Sequence, residues 1–275
     1  MTTPHFGRRR LPTLVLGMAV AFTLLGQPAL GQTTDTQTDG GRRRPGAISE
    51  ARSDAPDFLF GRPDGWVGVR TGWLFARAGS DWFDFVTDQL TIDDGAFNTT
   101  ALAVDYGITV APRLDAVVGL DFNRARVASE YRRFVDNDRL PINQDTRLTT
   151  ITVTGGAKIA LRSRGRDVSR LAWVPNRVVP FVGAGGGALR YALEQSGDFI
   201  DFRDSSVFPS TFRSEAWTPS AHVFGGVDLQ VLRRTMVTID GRYRWASGPL
   251  SSTWVDFDPI DLSGFTLSAG MHLMF

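Results

Sequence analysis

From residue 65 to the C-terminus, hydrophobic and polar residues alternate in segments separated by polar loops. Alternation with period two turns successive side chains to opposite faces, so each segment predicts a β-strand with two chemically distinct sides. The first, 65–77, sets Val67, Val69, Thr71, Trp73 and Phe75 against Gly68, Arg70 and Gly72. The second, 99–110, sets Leu102, Val104, Tyr106 and Ile108 against Ala101, Ala103, Asp105 and Gly107. The third, 116–127, opposes Val118, Leu120 and Phe122 to Gly119, Asp121 and Asn123. The fourth, around 150–159, opposes Ile151, Val153 and Ile159 to Thr150, Thr152, Thr154 and Lys158. The fifth, 178–193, is rich in glycine and its facing is not legible. The sixth, 220–232, opposes Val223, Val227, Leu229 and Val231 to His222, Gly226, Asp228 and Gln230. The seventh opposes Val237, Ile239, Tyr243 and Trp245 to Thr238, Asp240, Arg242 and Arg244. The eighth sets Phe265, Leu267, Met271, Leu273 and Phe275 against Thr266, Ser268, Gly270 and His272.

Alternation also fits a soluble sandwich or a lipocalin-like barrel, in which the apolar face is the inside. Three features favour the inverted arrangement. Bulky charges occupy the middle of the polar faces, and the strands reach the ~9–11 residues that a tilted membrane strand requires. Connections also alternate in length: 111–115 and 233–235 are tight, whereas 78–98, 128–146, 194–212 and 247–261 are long. Short turns at one end and long loops at the other are the membrane-barrel pattern. The expected fold is therefore all-β: a transmembrane antiparallel up-and-down β-barrel of about eight strands over residues 65–275. Segment 162–177 is long where a short turn belongs, and with Leu171, Trp173 and Val174 it is expected to form an amphipathic cover on the turn side.

The N-terminal residues assign the compartment. Arg8, Arg9 and Arg10 precede an apolar run, 11–25, and Ala29-Leu30-Gly31 supplies small residues for cleavage, so 1–31 reads as a secretory signal peptide. The run is short of the ~20 residues of a spanning anchor. Residues 32–64, with Arg42-Arg43-Arg44-Pro45, are expected to form a disordered polar linker. The chain has no cysteine, which excludes a lipoprotein, a disulfide or a thiolate site. After loss of Arg8, Arg9 and Arg10, 27 of the 30 basic residues face 29 acidic ones, a net charge of −2 that gives no electrostatic reason for a nucleic-acid partner.

At the C-terminus, Ser268, Gly270, Leu273 and Phe275 match the pattern Ser-x-Gly-x-x-Leu-x-Phe of the assembly signal of bacterial outer-membrane barrels. Pro180-Phe181-Val182-Gly183-Ala184-Gly185 and Arg242-Tyr243-Arg244-Trp245 resemble the small OmpA-like and opacity-type barrels. The resemblance covers about 65–275 and implies a location in the bacterial outer membrane. It also implies, as partners, outer-membrane lipids and lipopolysaccharide, the barrel assembly machinery and periplasmic chaperones. It does not extend to a peptidoglycan-binding domain, so an anchoring role is not carried over.

Two constellations carry candidate chemistry. Arg70, Asp105, Asp121, Lys158, Asp228, Asp240, Arg242 and Arg244 are all expected to point into the lumen. A barrel of ~8 strands is only wide enough for side chains to fill, so these charges are expected either to pair into a plug or to line a narrow ion-conducting constriction. Strand adjacency suggests a network among Asp228, Asp240, Arg242, Arg244 and His272. In the loops, Asp84-Phe85, Asp198-Phe199, Asp201-Phe202 and Asp256-Phe257 lie beside Trp82 and Trp254, and read either as a surface binding patch or as an aromatic girdle at the outer interface.

No catalytic set, cofactor or metal site is expected. Some small barrels modify lipid A or cleave surface proteins, using His with Ser or Asp. The pair Ser220 and His222 is a weak candidate of that kind. The leading expectation is a non-enzymatic barrel supporting envelope integrity or surface interaction. A narrow channel for small solutes or ions comes second, and a lipid A-modifying enzyme third.

Overall fold

The computed structural model describes residues 58–275, apart from 94, 137–138, 171, 202–205, 253 and 255–256. The signal peptide and residues 32–57 of the expected linker lie outside the described residues.

In chain order the elements are β1 (Leu59–Phe60), β2 (Gly65–Ala76), α1 (Asp81–Gln89), β3 (Thr99–Ala111), β4 (Leu114–Val135) and β5 (Pro141–Ala160). They continue with β6 (Gly165–Ser169), β7 (Ala172–Pro175), β8 (Val178–Ile200), β9 (Val207–Gln230), β10 (Thr235–Gly248), β11 (Ile260–Asp261) and β12 (Gly264–Met274). Eight of the strands close a ring in the order β2-β3-β4-β5-β8-β9-β10-β12, with β12 antiparallel to β2 and β10 antiparallel to β9. Closure removes every sheet edge within the membrane, where an unpaired backbone group would find no water. The last residue completes the seam. Phe275 donates its backbone N–H to the Gly65 carbonyl (3.0 Å) and accepts from the amides of Asp64 (2.9 Å) and Gly65 (3.3 Å).

The expected alternation is present on every barrel strand, and it settles β8. Val179, Phe181, Leu189, Tyr191 and Leu193 are buried inside, while Val178 and Val182 are exposed outside. The inward glycines of β8 leave room for rings from β9: a Cβ on Gly183 would sit 2.2 Å from the Phe224 ring.

Two expected loops are strands instead. Segments 128–146 and 194–212 belong mostly to β4 and β5, 22 and 20 residues long, and to β8 and β9, 23 and 24 residues long. These hairpins continue as a paired sheet, Glu130 against Asn143 and Ile200 against Val207. Along them the two faces exchange character. Phe122 is exposed outside and Asn123 buried inside, yet Arg124 and Arg126 point outward while Ala125 and Tyr131 are buried. That exchange marks the level at which the wall passes from lipid into water.

The remainder of the expected linker also needs correction. Within 32–64, Leu59 and Phe60 pair with Trp173 and Ala172, and Leu59 is buried. With β6 and β7 they form a three-stranded sheet, β1-β7-β6, so segment 162–177 does fold as a cover at the turn end, Leu171 lying outside the described residues. Its anchor is Trp173, buried with Trp66, Met274 and Leu59.

Candidate functional site

The lumen is filled in layers. In the middle, Arg70 of β2 donates from Nε and Nη2 to the two oxygens of Asp105 of β3 (2.5 and 3.1 Å). Its Nη1 donates to Ser268 Oγ of β12 (3.1 Å) and to Asp240 of β10 (3.4 Å), and Asp121 of β4 lies 3.5 Å from Nη2. Ser268 in turn donates to the second Asp240 oxygen (2.5 Å). One guanidinium thus meets three carboxylates, and Arg242 of β10 approaches the same Asp121 at 3.6 Å while stacking over Phe224 at 5.0 Å. Gly270 makes the hub possible, since a Cβ there would fall 2.5 Å from Arg70 Cγ.

Toward the turn end, Lys158 of β5 donates to Asp228 of β9 (2.7 Å) and lies 3.9 Å over the Phe181 ring. Thr238 donates to the other Asp228 oxygen (2.7 Å) and meets His272 Nδ1 at 3.0 Å. Below this, Trp66 donates its indole N–H to Asp115 (3.0 Å), which also pairs with Arg164 at 2.7 Å. Toward the loop end, Arg244 has no carboxylate within ion-pair distance among the described residues. It donates to the Leu262 carbonyl (3.2 and 3.3 Å) and to Thr152 Oγ1 (3.3 Å).

All eight predicted lumen charges therefore face inward, but their partners differ from those expected. Asp240 and Asp228 serve Arg70 and Lys158, not Arg242 or Arg244, and the partner of Arg242 comes from β4 across the barrel. Ser268 and Gly270 face inward, as the alternation of the last strand predicts. One contributor departs from its expected place. Asp115 had been placed in a turn, although it shares the parity of Gly119 and Asp121 and is buried. Of the assembly-signal residues, Leu273 and Phe275 face outward, and Phe275 stacks on Tyr106 at 5.9 Å.

The loop end is closed by an apolar core. α1 turns Trp82, Phe83 and Val86, spaced on one helical face, onto Leu189, Tyr191 and Leu193 of the inner wall. Trp82 is 0 % exposed and meets Phe83, Phe97 and Trp254 edge to face. The three described Asp-Phe phenylalanines, Phe85, Phe199 and Phe257, therefore do not form a girdle at the lipid interface: Phe85 packs against Phe257, and Phe199 against Phe212. Phe202 and Asp256 lie outside the described residues. Ser220 and His222 are both buried on the inner wall, with Ser220 Oγ unpartnered among the described residues and the His222 ring stacked on Phe224, so no hydrogen bond joins them. Among the described residues no group of three or more His, Asp or Glu is placed to hold a metal.

Outside, the apolar faces form a belt. Val69, Leu102, Val104, Val118, Leu120 and Met271 stand exposed on the wall, while the charges of the same strands are buried within. Trp73, Phe75, Trp217, Trp245 and Phe265 ring the loop side of this belt, and Tyr106 with Phe275 marks the turn side. A closed sheet that exposes its apolar face and buries its charges is stable only where lipid replaces water. The chain is an outer-membrane β-barrel.

No family model matches the chain, and no curated protein matches it. Among solved structures, Neisserial surface protein A is 14% identical with a TM-score of 0.43, covering 77% of this chain and 97% of that one. OprG from Pseudomonas aeruginosa is 12% identical with a TM-score of 0.41, covering 79% and 99%. Ail of Yersinia pestis is 13% identical with a TM-score of 0.38, covering 76% and 99%. The assignment of this barrel rests on its own closed ring and inverted faces.

Proposed function

We propose that this outer-membrane barrel is a closed, non-enzymatic envelope protein that acts through its outer surface rather than by conduction or catalysis. The observation that carries the reading is the Arg70 hub, with side chains from β2, β3, β4, β10 and β12 meeting across the lumen. The cavities left there are small: about 20 Å³ beside Arg70 and Asp105, about 20 Å³ beside Asp121 and His222, and about 30 Å³ beside Arg244. Each holds no more than one or two waters.

The outer surface offers a second support. Just beyond the apolar belt, Arg124, Arg126, Arg147, Arg190 and Arg213 line the outside of β4, β5, β8 and β9, interleaved with Asp145, Glu194 and Glu215. Guanidinium groups suit phosphate oxygens, and this band lies at headgroup height, so lipopolysaccharide phosphates are its proposed partners. Planar-bilayer recording of the purified barrel tests the closed state. The expected trace has no steady conductance steps, and reproducible ion-selective steps would overturn the reading in favour of a narrow channel.

A further inference from the structure

At the turn end, between the barrel and the β1-β7-β6 sheet, lies a cavity of about 280 Å³. At about 30 Å³ per water it has room for about nine waters, which is the size of a small organic molecule and far more than the lumen cavities hold. Its apolar wall includes Trp66, Trp173, Val179, Met236 and Met274. The sheet is built to hold Trp173 there: a Cβ on Gly165 would lie 2.4 Å from the Trp173 ring, so only glycine admits it. Trp66 is fixed by its bond to Asp115 and by the His272 ring stacked on it at 4.2 Å. Both indoles of the wall are therefore held in place by their neighbours.

The charges on the cavity are unevenly committed. Asp115 already accepts from Trp66 and pairs with Arg164, and Asp228 already accepts from Lys158 and Thr238. Arg113, in the β3–β4 turn, is exposed, and among the described residues no carboxylate lies within ion-pair distance of it. Among the described residues Arg62 pairs with Asp167 alone, at 3.4 Å, with side-chain exposures of 43% and 65%, a surface pair that a ligand can displace. The uncommitted charge on the cavity is thus positive, and both acids that would oppose an anion are neutralised.

We propose that this cavity is a binding site for a small organic anion with a flat apolar body. Its body lies against Trp66 and Trp173, and its carboxylate or comparable anionic group reaches Arg113 and Arg62. Ligand of this class enters from the turn side, where the short connections and the chain's last residue lie. The lumen layers above keep the site separate from the loop end.

The test uses the full-length mature chain in lipid nanodiscs, with para-fluorobenzoate as the probe and para-fluorobenzamide as its neutral counterpart. Binding is followed by the shifts of the tryptophan indole N–H signals. The expected result is a saturable shift at Trp66 and Trp173, absent at the outward-facing Trp73, Trp217 and Trp245. The amide should bind at least about tenfold more weakly, as befits loss of a charge-assisted bond. Arg113→Glu and Arg62→Glu, both on exposed side chains, should weaken benzoate by a similar factor while heat-modifiable gel mobility stays native. Equal binding of acid and amide, shifts confined to the lipid-facing tryptophans, or undiminished binding to both natively folded variants would each overturn the proposal. So would the absence of any saturable shift at millimolar probe.

Discussion

Replacing Lys158 by methionine isolates the energetics of the filled lumen, because methionine keeps the length of the stem and removes only the charge. The lysine ammonium is 2.7 Å from Asp228, with side-chain exposures of 6% and 9%, so both groups are largely withdrawn from bulk water. Removing one member of such a pair typically costs about 3–5 kcal/mol, since the remaining charge is stranded. Asp228 keeps the Thr238 hydrogen bond at 2.7 Å, which places the expected loss for Lys158→Met near the lower end of that range. Asp228→Leu should cost a similar amount by stranding the ammonium over Phe181. The double variant removes both charges, and Thr238 still meets His272 Nδ1 at 3.0 Å, so no new orphan is made. It should recover at least about 2 kcal/mol relative to the sum of the single losses. The assay is reversible urea unfolding in phosphocholine vesicles, followed by tryptophan fluorescence. A loss below about 1 kcal/mol for Lys158→Met, or strictly additive losses in the double variant, would refute the claim that this layer is a desolvated pair.

Three further outcomes are expected. Trp82→Ala should lower stability by about 3–5 kcal/mol, because it empties the middle of the loop-end core, yet bilayer conductance should stay absent while the Arg70 layer remains; the appearance of steady currents would place the barrier at the cap instead. Deleting Phe275 removes three backbone hydrogen bonds at the barrel seam and the stack on Tyr106, and should sharply reduce the heat-modifiable protein recovered in the outer membrane; an unchanged yield would count against an assembly role for this residue. Cysteines at Glu130 and Ser252 should react with an impermeant maleimide on intact cells while one at Arg113 should not, and the reverse pattern would invert the topology.

Parity along the chain assigns which residues face lipid and which face the lumen, because alternation on a closed sheet leaves each side chain only two directions. That is why all eight lumen charges and the outward Leu273 and Phe275 could be placed from parity alone. It did not disclose where the strands end. Beyond Phe122 the outer face turns charged and the inner face apolar, so the pattern that signals a membrane strand inverts. The extension of β4 therefore read as a loop, as did those of β5, β8 and β9. Trp82 likewise reads as interfacial from its neighbours, and only the fold of α1 into the barrel mouth makes it core. Nor could parity choose partners. Shared facing suggests a network of Arg242 and Arg244 with Asp240, Asp228 and His272, yet a lumen this narrow brings opposite walls within side-chain reach, and Arg242 meets Asp121 across it. Which charges pair, and what space remains between Trp66 and Trp173, are set by closure of the ring and by the sheet folded over its end. Those are distances between residues far apart in the chain, and a local pattern carries no information about them.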